Sequence, residues 1–233
     1  MPGAGTTGYT RAIMLNDLLP DLLPANPLEI AASWLAESWR RRDQPNPNAM
    51  VLATADAEGT PSARVVLCKD IVAEPGFVHF VSNYHSRKGR EMSANPRAAL
   101  VFHWDHQYRQ MRIEGLIQRS TPAESDAYFA RRAWASQLGA VASAQSEPIS
   151  SRAALRAKLD DVTRQFGAEP VEGGPRIPRP AHWGGYLLWV TAVELWMEGD
   201  ARIHDRARWT RDVKLDGEGQ ATVGAWHGTR LQP

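Results

Sequence analysis

The sequence predicts a single α+β domain that consists mainly of an antiparallel β-barrel. Short apolar segments follow one another at close spacing and are separated by turn residues, a pattern typical of antiparallel barrels. The predicted elements are first β-rich, then helical and then β-rich again, which favours one α+β domain over two domains. We expect an irregular leader over residues 1–25 and the domain over residues 26–233.

The composition limits the classes of function. The 233 residues have 43% hydrophobic content and a formal net charge of +1, which is ordinary for a globular protein and gives no reason to expect nucleic-acid binding. No apolar run reaches the roughly 20 residues of a membrane helix, and residues 1–10 do not resemble a signal peptide. The single cysteine, Cys68, excludes an intramolecular disulfide. We therefore expect a cytoplasmic enzyme or binding protein without a metal site.

The first half of the chain is predicted to form a helix, three strands, a second helix and two more strands. Asn26 is a suitable N-cap for the first helix, Pro27 suits its first turn, and the arginines at 40–42 suit its end. The second helix is predicted over residues 86–94. The strands are predicted over residues 50–54, 62–69, 77–82, 98–104 and 110–119.

Two helices and a second set of strands are predicted for the rest of the chain. Thr121 can cap a helix over residues 122–132, and Ser150 or Ser151 can cap another that ends near Phe166. Residues 169–180 contain four prolines and two glycines and are expected to form a surface connection. Strands are predicted over residues 185–190, 192–197 and 202–210, before a hairpin through residues 216–219 that ends at 231.

Residues 196–206 are the strongest candidate for chemistry. On a regular strand, Arg202, His204 and Arg206 share one face. Two guanidiniums beside an imidazole suit an anionic or hydrogen-bonding ligand. An exposed, salt-bridged strand is the alternative interpretation.

Two other groups could bind anions. Ser86, Arg87 and Lys88 open a helix, where free backbone N–H groups add to the two cations. An ordinary basic helix start is the alternative. Arg64 and Lys69 are separated by an odd number of positions. On a regular strand their side chains therefore face opposite sides, where they would contact two different anions.

Tyr128, Arg132 and Ser136 recur every four residues. On a continuous helix this spacing brings a phenol, a guanidinium and a hydroxyl towards one point. The alternative is an exposed helix face whose polar residues have no common ligand.

Several known catalytic motifs are missing from the sequence. It has no Gly-x-Gly-x-x-Gly after a strand, no phosphate-loop motif and no Gly-x-Ser-x-Gly elbow. Gln110, Gln145 and Ser146 could pair with the edge of a heterocycle. With so little acid–base machinery, we expect a bound cofactor to perform the difficult step.

Eight short motifs occur in an order that resembles the pyridoxamine 5′-phosphate oxidase family, the FMN enzymes of vitamin B6 metabolism. The resemblance extends from about residue 26 to the C-terminus. The motifs begin at Asn48 (NAMVLAT), Arg64 (RVVLCK), Ser86 (SRK), Tyr108 (YRQ), Ser136 (SQLGA), Gln145 (QS), Trp183 (WGG) and Arg202 (RIHDR).

The resemblance implies a Greek-key split β-barrel with peripheral helices, which forms a homodimer and binds FMN in the subunit interface. By position, Arg64, Ser82, Arg87 and Lys88 would hold the phosphate and ribityl end of FMN. The other implied FMN-binding residues are Val65, Val66, Leu67, Cys68, Lys69, Val81, Gln110, Gln145, Ser146, Trp196 and Arg206.

The resemblance also implies a reaction. Hydride would pass from C4′ of pyridoxamine or pyridoxine 5′-phosphate to flavin N5, and dioxygen would reoxidise the flavin and give hydrogen peroxide. Arg202 and His204 would orient the pyridine ring as the catalytic pair. The implied clamp for the substrate phosphate is Lys69, Tyr128, Arg132 and Ser136.

Three departures from the family pattern leave alternatives open. Residues 16–23 replace a basic stretch, so we assign no N-terminal lid residue, and Tyr9 and Arg11 are only candidate substitutes. Met197-Glu198 stands where a small polar residue and a glycine are usual, and residues 132–135 replace a more polar loop. The alternatives are a related flavin oxidase with another substrate, as in the phenazine pathway, and a non-catalytic flavin- or pyridoxal-phosphate-binding protein.

Overall fold

The computed structural model describes residues 18–216 and 219–233, so Tyr9 and Arg11 lie outside the described residues. Within these ranges the chain forms five α-helices and ten β-strands. The helices are α1 (Pro27–Arg41), α2 (Arg87–Ala94), α3 (Pro122–Ala130), α4 (Trp134–Ala142) and α5 (Arg152–Phe166). The strands are β1 (Ala49–Ala55), β2 (Pro61–Val72), β3 (Phe77–Asn83), β4 (Arg97–Trp104), β5 (Arg109–Arg119), β6 (Trp183–Met197), β7 (Asp205–Thr210), β8 (Val213–Leu215), β9 (Ala221–Val223) and β10 (His227–Leu231).

Six strands close into an antiparallel barrel. Their order is β6-β3-β2-β1-β4-β5, and β5 pairs again with β6 to close the ring. β7 and β10 extend the sheet beside β6, while β8 and β9 form a separate hairpin. The predicted α+β fold, built on an antiparallel barrel with peripheral helices, is confirmed.

The barrel is stabilised by apolar side chains that alternate into its interior. Leu52 on β1, Phe80 on β3 and Phe102 on β4 are completely buried, and burial of each such side chain contributes about 1.5–3 kcal/mol. Helix α1 packs on the barrel through Trp34, whose ring meets Trp104 edge-on with 6.5 Å between the centroids. The interior of the barrel is therefore the main hydrophobic core of the described chain.

β6 is one strand of 15 residues and not the two predicted strands. Thr191 is an extra residue in its register with β5, because Ala192 pairs with Glu114 and Val190 with the next residue, Gly115. The Thr191 hydroxyl donates to the Glu114 carbonyl at 3.1 Å. The interruption that the sequence suggested at this position is therefore a β-bulge within a continuous strand.

The helical region also differs from the prediction. The helix that was expected to reach residue 132 ends at Ala130, and the sequence analysis missed α4. Thr121 and Glu124 form a reciprocal capping box at the start of α3. No side chain caps the start of α4, so the usual sequence signal for a helix N-terminus is missing there.

Residues 18–25 contain no helix or strand and lie along β7 and β10. The Leu19 N–H donates to Asp205 Oδ2 at 2.7 Å, and the Trp209 indole N–H donates to the Pro24 carbonyl at 2.9 Å. This part of the predicted leader therefore contacts the C-terminal strands of its own chain. Among the described residues, no helix is long and apolar enough to cross a membrane.

Candidate functional site

A cavity of about 590 Å³ lies beside β2 and β3 and is bordered by α4. We call it the first cavity. Nine residues that were predicted to bind the cofactor line it: Arg64, Val65, Val66, Leu67, Lys69, Val81, Ser82, Lys88 and Gln145.

Arg64 and Lys69 both line the first cavity, although their parity predicted opposite sides. The register between β2 and β3 shifts between Cys68 and Asp70, which is a β-bulge. The inward-facing positions before and after it are Cys68 and Ile71, three residues apart instead of two. The argument from alternation assumes a regular strand, so it does not apply across this bulge.

The cations at one end of the first cavity surround a buried carboxylate. Glu91 on α2 is only 5% exposed and accepts hydrogen bonds from Arg64 Nη2 at 3.1 Å and Arg87 Nε at 2.8 Å. The hydroxyls of Thr54 and Ser62 also donate to it. Burial by itself raises the pKa of Glu91, but the hydrogen bonds from these four side chains overcome that effect and lower the pKa to about 2. The carboxylate therefore stays ionised at neutral pH.

Lys88 completes this cationic end. It is 8% exposed, and its Nζ donates to Ser86 Oγ at 3.1 Å and to Gln145 Oε1 at 2.9 Å. Burial and, second, the positive charge of Arg64 lower the pKa of Lys88 to about 8. Three cations around one carboxylate leave this end of the cavity positive, which favours an anionic ligand.

A second cavity of about 660 Å³ shares Lys69 and Arg132 with the first. Tyr128 lines the second cavity, and the Lys69 ammonium lies 6.0 Å from the centre of its ring. Ser136 lines the first cavity. The predicted continuous helix through Tyr128, Arg132 and Ser136 is wrong, because the chain turns between α3 and α4. The turn distributes these side chains over two adjoining cavities.

Arg132 lies in this turn, where the two cavities meet. Its guanidinium carbon is 4.5 Å from the centre of the Trp183 ring, and burial lowers its pKa. The buried Nη1 atom makes no hydrogen bond with any described residue. A buried donor without a partner costs free energy, so an anion that accepts from this N–H would stabilise the site.

Residues 198–204 form a turn, so the predicted strand over 202–210 is wrong in its first part. Ala201 and Arg202 have φ angles of 51° and 66°, which a regular strand cannot contain. β7 begins only at Asp205. Strand alternation therefore does not place Arg202, His204 and Arg206 on one face. Arg202 is exposed and makes no hydrogen bond or ion pair with the described part of the chain.

His204 nevertheless joins a cluster of predicted site residues at the end of β6. Its ring centroid lies 4.7 Å from that of Trp196. Trp196 is in register with Gln110 on β5 and with Arg206 on β7. The Gly199 N–H donates to His204 Nδ1 at 3.2 Å, so the proton of the neutral ring is on Nε2.

The two groups of predicted site residues lie at opposite ends of β6. Trp183, beside Arg132, is the first residue of the strand, and Trp196, beside His204, comes 13 residues later. A strand rises about 3.3 Å per residue, so the two groups are roughly 40 Å apart along it. One chain therefore does not bring Arg132 to His204, and a small ligand can contact both only if a second chain supplies one of them.

Three other predicted residues do not line the first cavity. Cys68 points into the core, and burial raises the pKa of its thiol to about 12. The Arg87 side chain is mostly exposed and pairs with Glu91. Ser146 is exposed and has a φ angle of 74°. Any contact of Cys68 with a ligand in the cavity would have to be made by its backbone.

Glu91 was not predicted as a site residue, although it lies four positions after Arg87, the spacing of a helical ion pair. That signal could have identified the pair. It could not have identified the hydroxyls of Thr54 and Ser62, which reach Glu91 from two strands. Within residues 18–216 and 219–233, no group of three or more histidine, cysteine or acidic side chains could hold a metal ion.

Two family models match this chain. The model described as "Pyridoxamine 5′-phosphate oxidase" matches residues 41–166, and "Pyridoxine 5′-phosphate oxidase C-terminal dimerisation region" matches residues 183–233. A Gluconobacter oxydans protein named pyridoxine/pyridoxamine 5′-phosphate oxidase is 45% identical and aligns over 91% of this chain and 96% of its own. A Burkholderia thailandensis protein of the same name is 44% identical over 97% of this chain and 96% of its own.

Two solved structures share the fold. PhzG from Burkholderia lata, in complex with tetrahydrophenazine-1-carboxylic acid, has a TM-score of 0.78 and 29% identity over 95% of this chain and 98% of its own. A pyridoxamine 5′-phosphate oxidase-related, FMN binding protein from Nostoc punctiforme has a TM-score of 0.64 and 16% identity over 91% and 100%. The fold is thus the split barrel that the resemblance implied. With two family models and closely similar relatives over most of its length, the chain belongs to the pyridoxine/pyridoxamine 5′-phosphate oxidase family of oxidoreductases.

Proposed function

We propose that this protein is an FMN-dependent oxidase that converts pyridoxamine or pyridoxine 5′-phosphate to pyridoxal 5′-phosphate. Dioxygen is the electron acceptor and is reduced to hydrogen peroxide. With the amine substrate, hydrolysis of the oxidised amine also consumes water and releases ammonia. The observation that carries the proposal is the buried Nη1 of Arg132, which lacks a partner among the described residues and lies where a cation-lined cofactor cavity meets a second cavity. Family membership supplies the reaction class.

The first cavity suits FMN. Its volume of about 590 Å³ is within the usual range for cofactor pockets. Arg64, Arg87 and Lys88 would hold the phosphate at the cationic end. Val65, 64% exposed, and Leu67 offer apolar surface for a flat ring. When bound, FMN supplies the hydride acceptor and the reaction with dioxygen.

The residues of the chain bind and orient the substrate. Lys69, Tyr128, Arg132 and Ser136 would clamp the substrate phosphate with charge-assisted and neutral hydrogen bonds. Arg202 and His204 would hold the pyridine ring, and the proton on His204 Nε2 would stabilise negative charge at the ring oxygen. Neither residue is a nucleophile in this proposal.

A homodimer is part of the proposal. The match to a C-terminal dimerisation region over residues 183–233 supports it. The separation of Arg132 from His204 along β6 gives a physical reason, because a second copy can supply the missing half of each site. Gln110, Trp196 and Arg206 would then complete the flavin pocket of the partner copy.

A second candidate function is oxidation of a different ring substrate, since PhzG shares the fold at 29% identity and its structure holds tetrahydrophenazine-1-carboxylic acid. Such a substrate without a phosphate does not need a clamp of one lysine and one arginine. The site residues therefore favour the phosphorylated vitamers.

The phosphate dependence of flavin reduction tests the proposal. The protein is reconstituted with FMN, made anaerobic and mixed with pyridoxine 5′-phosphate or with pyridoxine, while the absorbance of oxidised flavin is followed. We expect the phosphate ester to reduce the flavin at least about 100-fold more efficiently, because several charged hydrogen bonds are lost without it. Equal efficiency with both compounds would exclude the clamp, and a protein that binds no flavin would exclude the whole proposal.

A further inference from the structure

A single carboxylate links Arg64, which lines the cationic end of the first cavity, to Arg87, which does not line it. Glu91 uses its two oxygens separately, with Arg87 Nε at 2.8 Å from Oε1 and Arg64 Nη2 at 3.1 Å from Oε2. The Ser62 hydroxyl reaches both oxygens, at 2.9 and 2.7 Å. Glu91 therefore links helix α2 to strand β2 beside the cationic end of the first cavity.

The two arginines differ in how much the rest of the protein holds them. Arg64 is 21% exposed and also donates to the Leu52 carbonyl at 3.2 Å and to Thr54 Oγ1. Arg87 is 59% exposed, and Glu91 is its hydrogen-bond and ion-pair partner among the described residues. Without Glu91, Arg87 would sample several rotamers, and Arg64 would lose one of its anchors.

We propose that Glu91 is a positioning residue that fixes the guanidiniums of Arg64 and Arg87 for the 5′-phosphate of the cofactor. The inference rests on the proposed FMN-dependent function. Glu91 does not touch the phosphate itself and acts only through the two arginines.

Two effects of Glu91 on phosphate binding oppose each other. Its negative charge repels a phosphate, so loss of the charge would strengthen binding. Its hydrogen bonds order two long side chains in advance, so loss of those bonds would weaken binding. The second effect dominates in this geometry, because each oxygen already bears a guanidinium that neutralises much of its charge.

The affinities for FMN and for riboflavin, which lacks the phosphate, test this inference. Both dissociation constants are measured by quenching of flavin fluorescence in wild type, Glu91→Gln and Glu91→Asp. We expect the ratio of the FMN to the riboflavin dissociation constant to rise about tenfold in both variants, as expected for two side chains that must be ordered on binding. The Asp variant keeps the negative charge but moves the carboxylate away from the two guanidiniums, so it separates the effect of geometry from that of charge. It also provides a test if the Gln variant does not fold.

A matched control and three outcomes decide the result. Glu58→Gln removes one negative charge from an exposed position in the turn between β1 and β2 and should leave the ratio unchanged. A ratio in the Glu91 variants within about twofold of wild type would overturn the inference, whether both flavins bind as before or both bind equally poorly. Tighter FMN binding would overturn it as well. A wild-type protein that binds no flavin would instead refute the proposed function.

Discussion

Among single residues, Arg132 is the most important for the proposal that the substrate bears a phosphate. Arg132→Ala should lower kcat/KM for pyridoxine 5′-phosphate by roughly tenfold to a hundredfold, mainly through KM, because each charge-assisted hydrogen bond contributes about 1.5–3 kcal/mol. Steady-state kinetics measure this effect. Arg164→Ala on α5, where the arginine is exposed and pairs with Asp161, is the control and should have no effect. An unchanged KM in Arg132→Ala would contradict the clamp.

Lys88 should make FMN binding depend on pH. Its pKa of about 8 in the free protein results from burial and from Arg64, and a bound phosphate would stabilise the ammonium and raise that pKa. Binding therefore takes up a proton above about pH 8, and FMN affinity should fall between about pH 7 and about pH 9. Titrations at several pH values should show this slope in wild type and not in Lys88→Met. A flat profile in wild type would show that Lys88 does not meet the phosphate.

Motif spacing predicted which residues surround the first cavity better than it predicted where their side chains point. The residues of β2 could be named in advance, but the bulge at Lys69 depends on how β2 pairs with β3. The same limit applies to Glu91, whose partners come from three elements that meet only in the fold. Regular periodicity reveals neither the bulge nor the hydroxyl partners of Glu91, because both depend on tertiary pairing.

At the scale of elements, the turn over residues 198–204 depends on Gly199. A Cβ atom there would lie 1.8 Å from the Ile203 carbonyl oxygen, so Gly199→Ala must open the turn and break the bond from its N–H to His204. We expect kcat to fall at least about tenfold, since small displacements of orienting groups are costly, while flavin content stays the same. Gly224→Ala, where the nearest atom would be 3.5 Å away, is the control. Full turnover in Gly199→Ala would argue against a role for this turn.

Three elements differ from the prediction, each for its own structural reason. The bulge at Thr191 breaks the pattern of β6 without ending the strand, and the positive φ angles of Ala201 and Arg202 end a strand pattern that looked regular. Helix α4 lacks a capping side chain, so its start carried no local signal. Elements with clear caps, such as α1 with Asn26 and α3 with Thr121, were predicted correctly at their starts.

In the whole molecule, each proposed site takes residues from two chains. Arg132→Ala and His204→Ala homodimers should both have low activity. In a mixed dimer, one site would carry both changes and the other would carry neither, so dissociation and reassociation of the two variants should restore activity at one site of two. Activity that stays at the level of the single variants would mean that Arg132 and His204 of one site come from the same chain.

The fold class was predictable from the spacing of strands and turns, because closely spaced short strands have few arrangements other than an antiparallel barrel. The closure of the barrel was not predictable, since β6 pairs with β3 near its start, with β7 near its end and with β5 along most of its length. The division of the site along β6 could be recognised only once that strand was seen to be continuous. The expected dimer came from the family resemblance and not from any pattern of residues.

The stoichiometry of the aerobic reaction tests the proposed oxidase activity directly. The FMN-loaded protein is given a limiting amount of pyridoxine 5′-phosphate, and dioxygen consumed, hydrogen peroxide formed and pyridoxal 5′-phosphate formed are measured together. We expect all three amounts to equal the amount of substrate consumed. Substrate that remains unchanged in the presence of bound FMN, or an aldehyde that forms without peroxide, would contradict it.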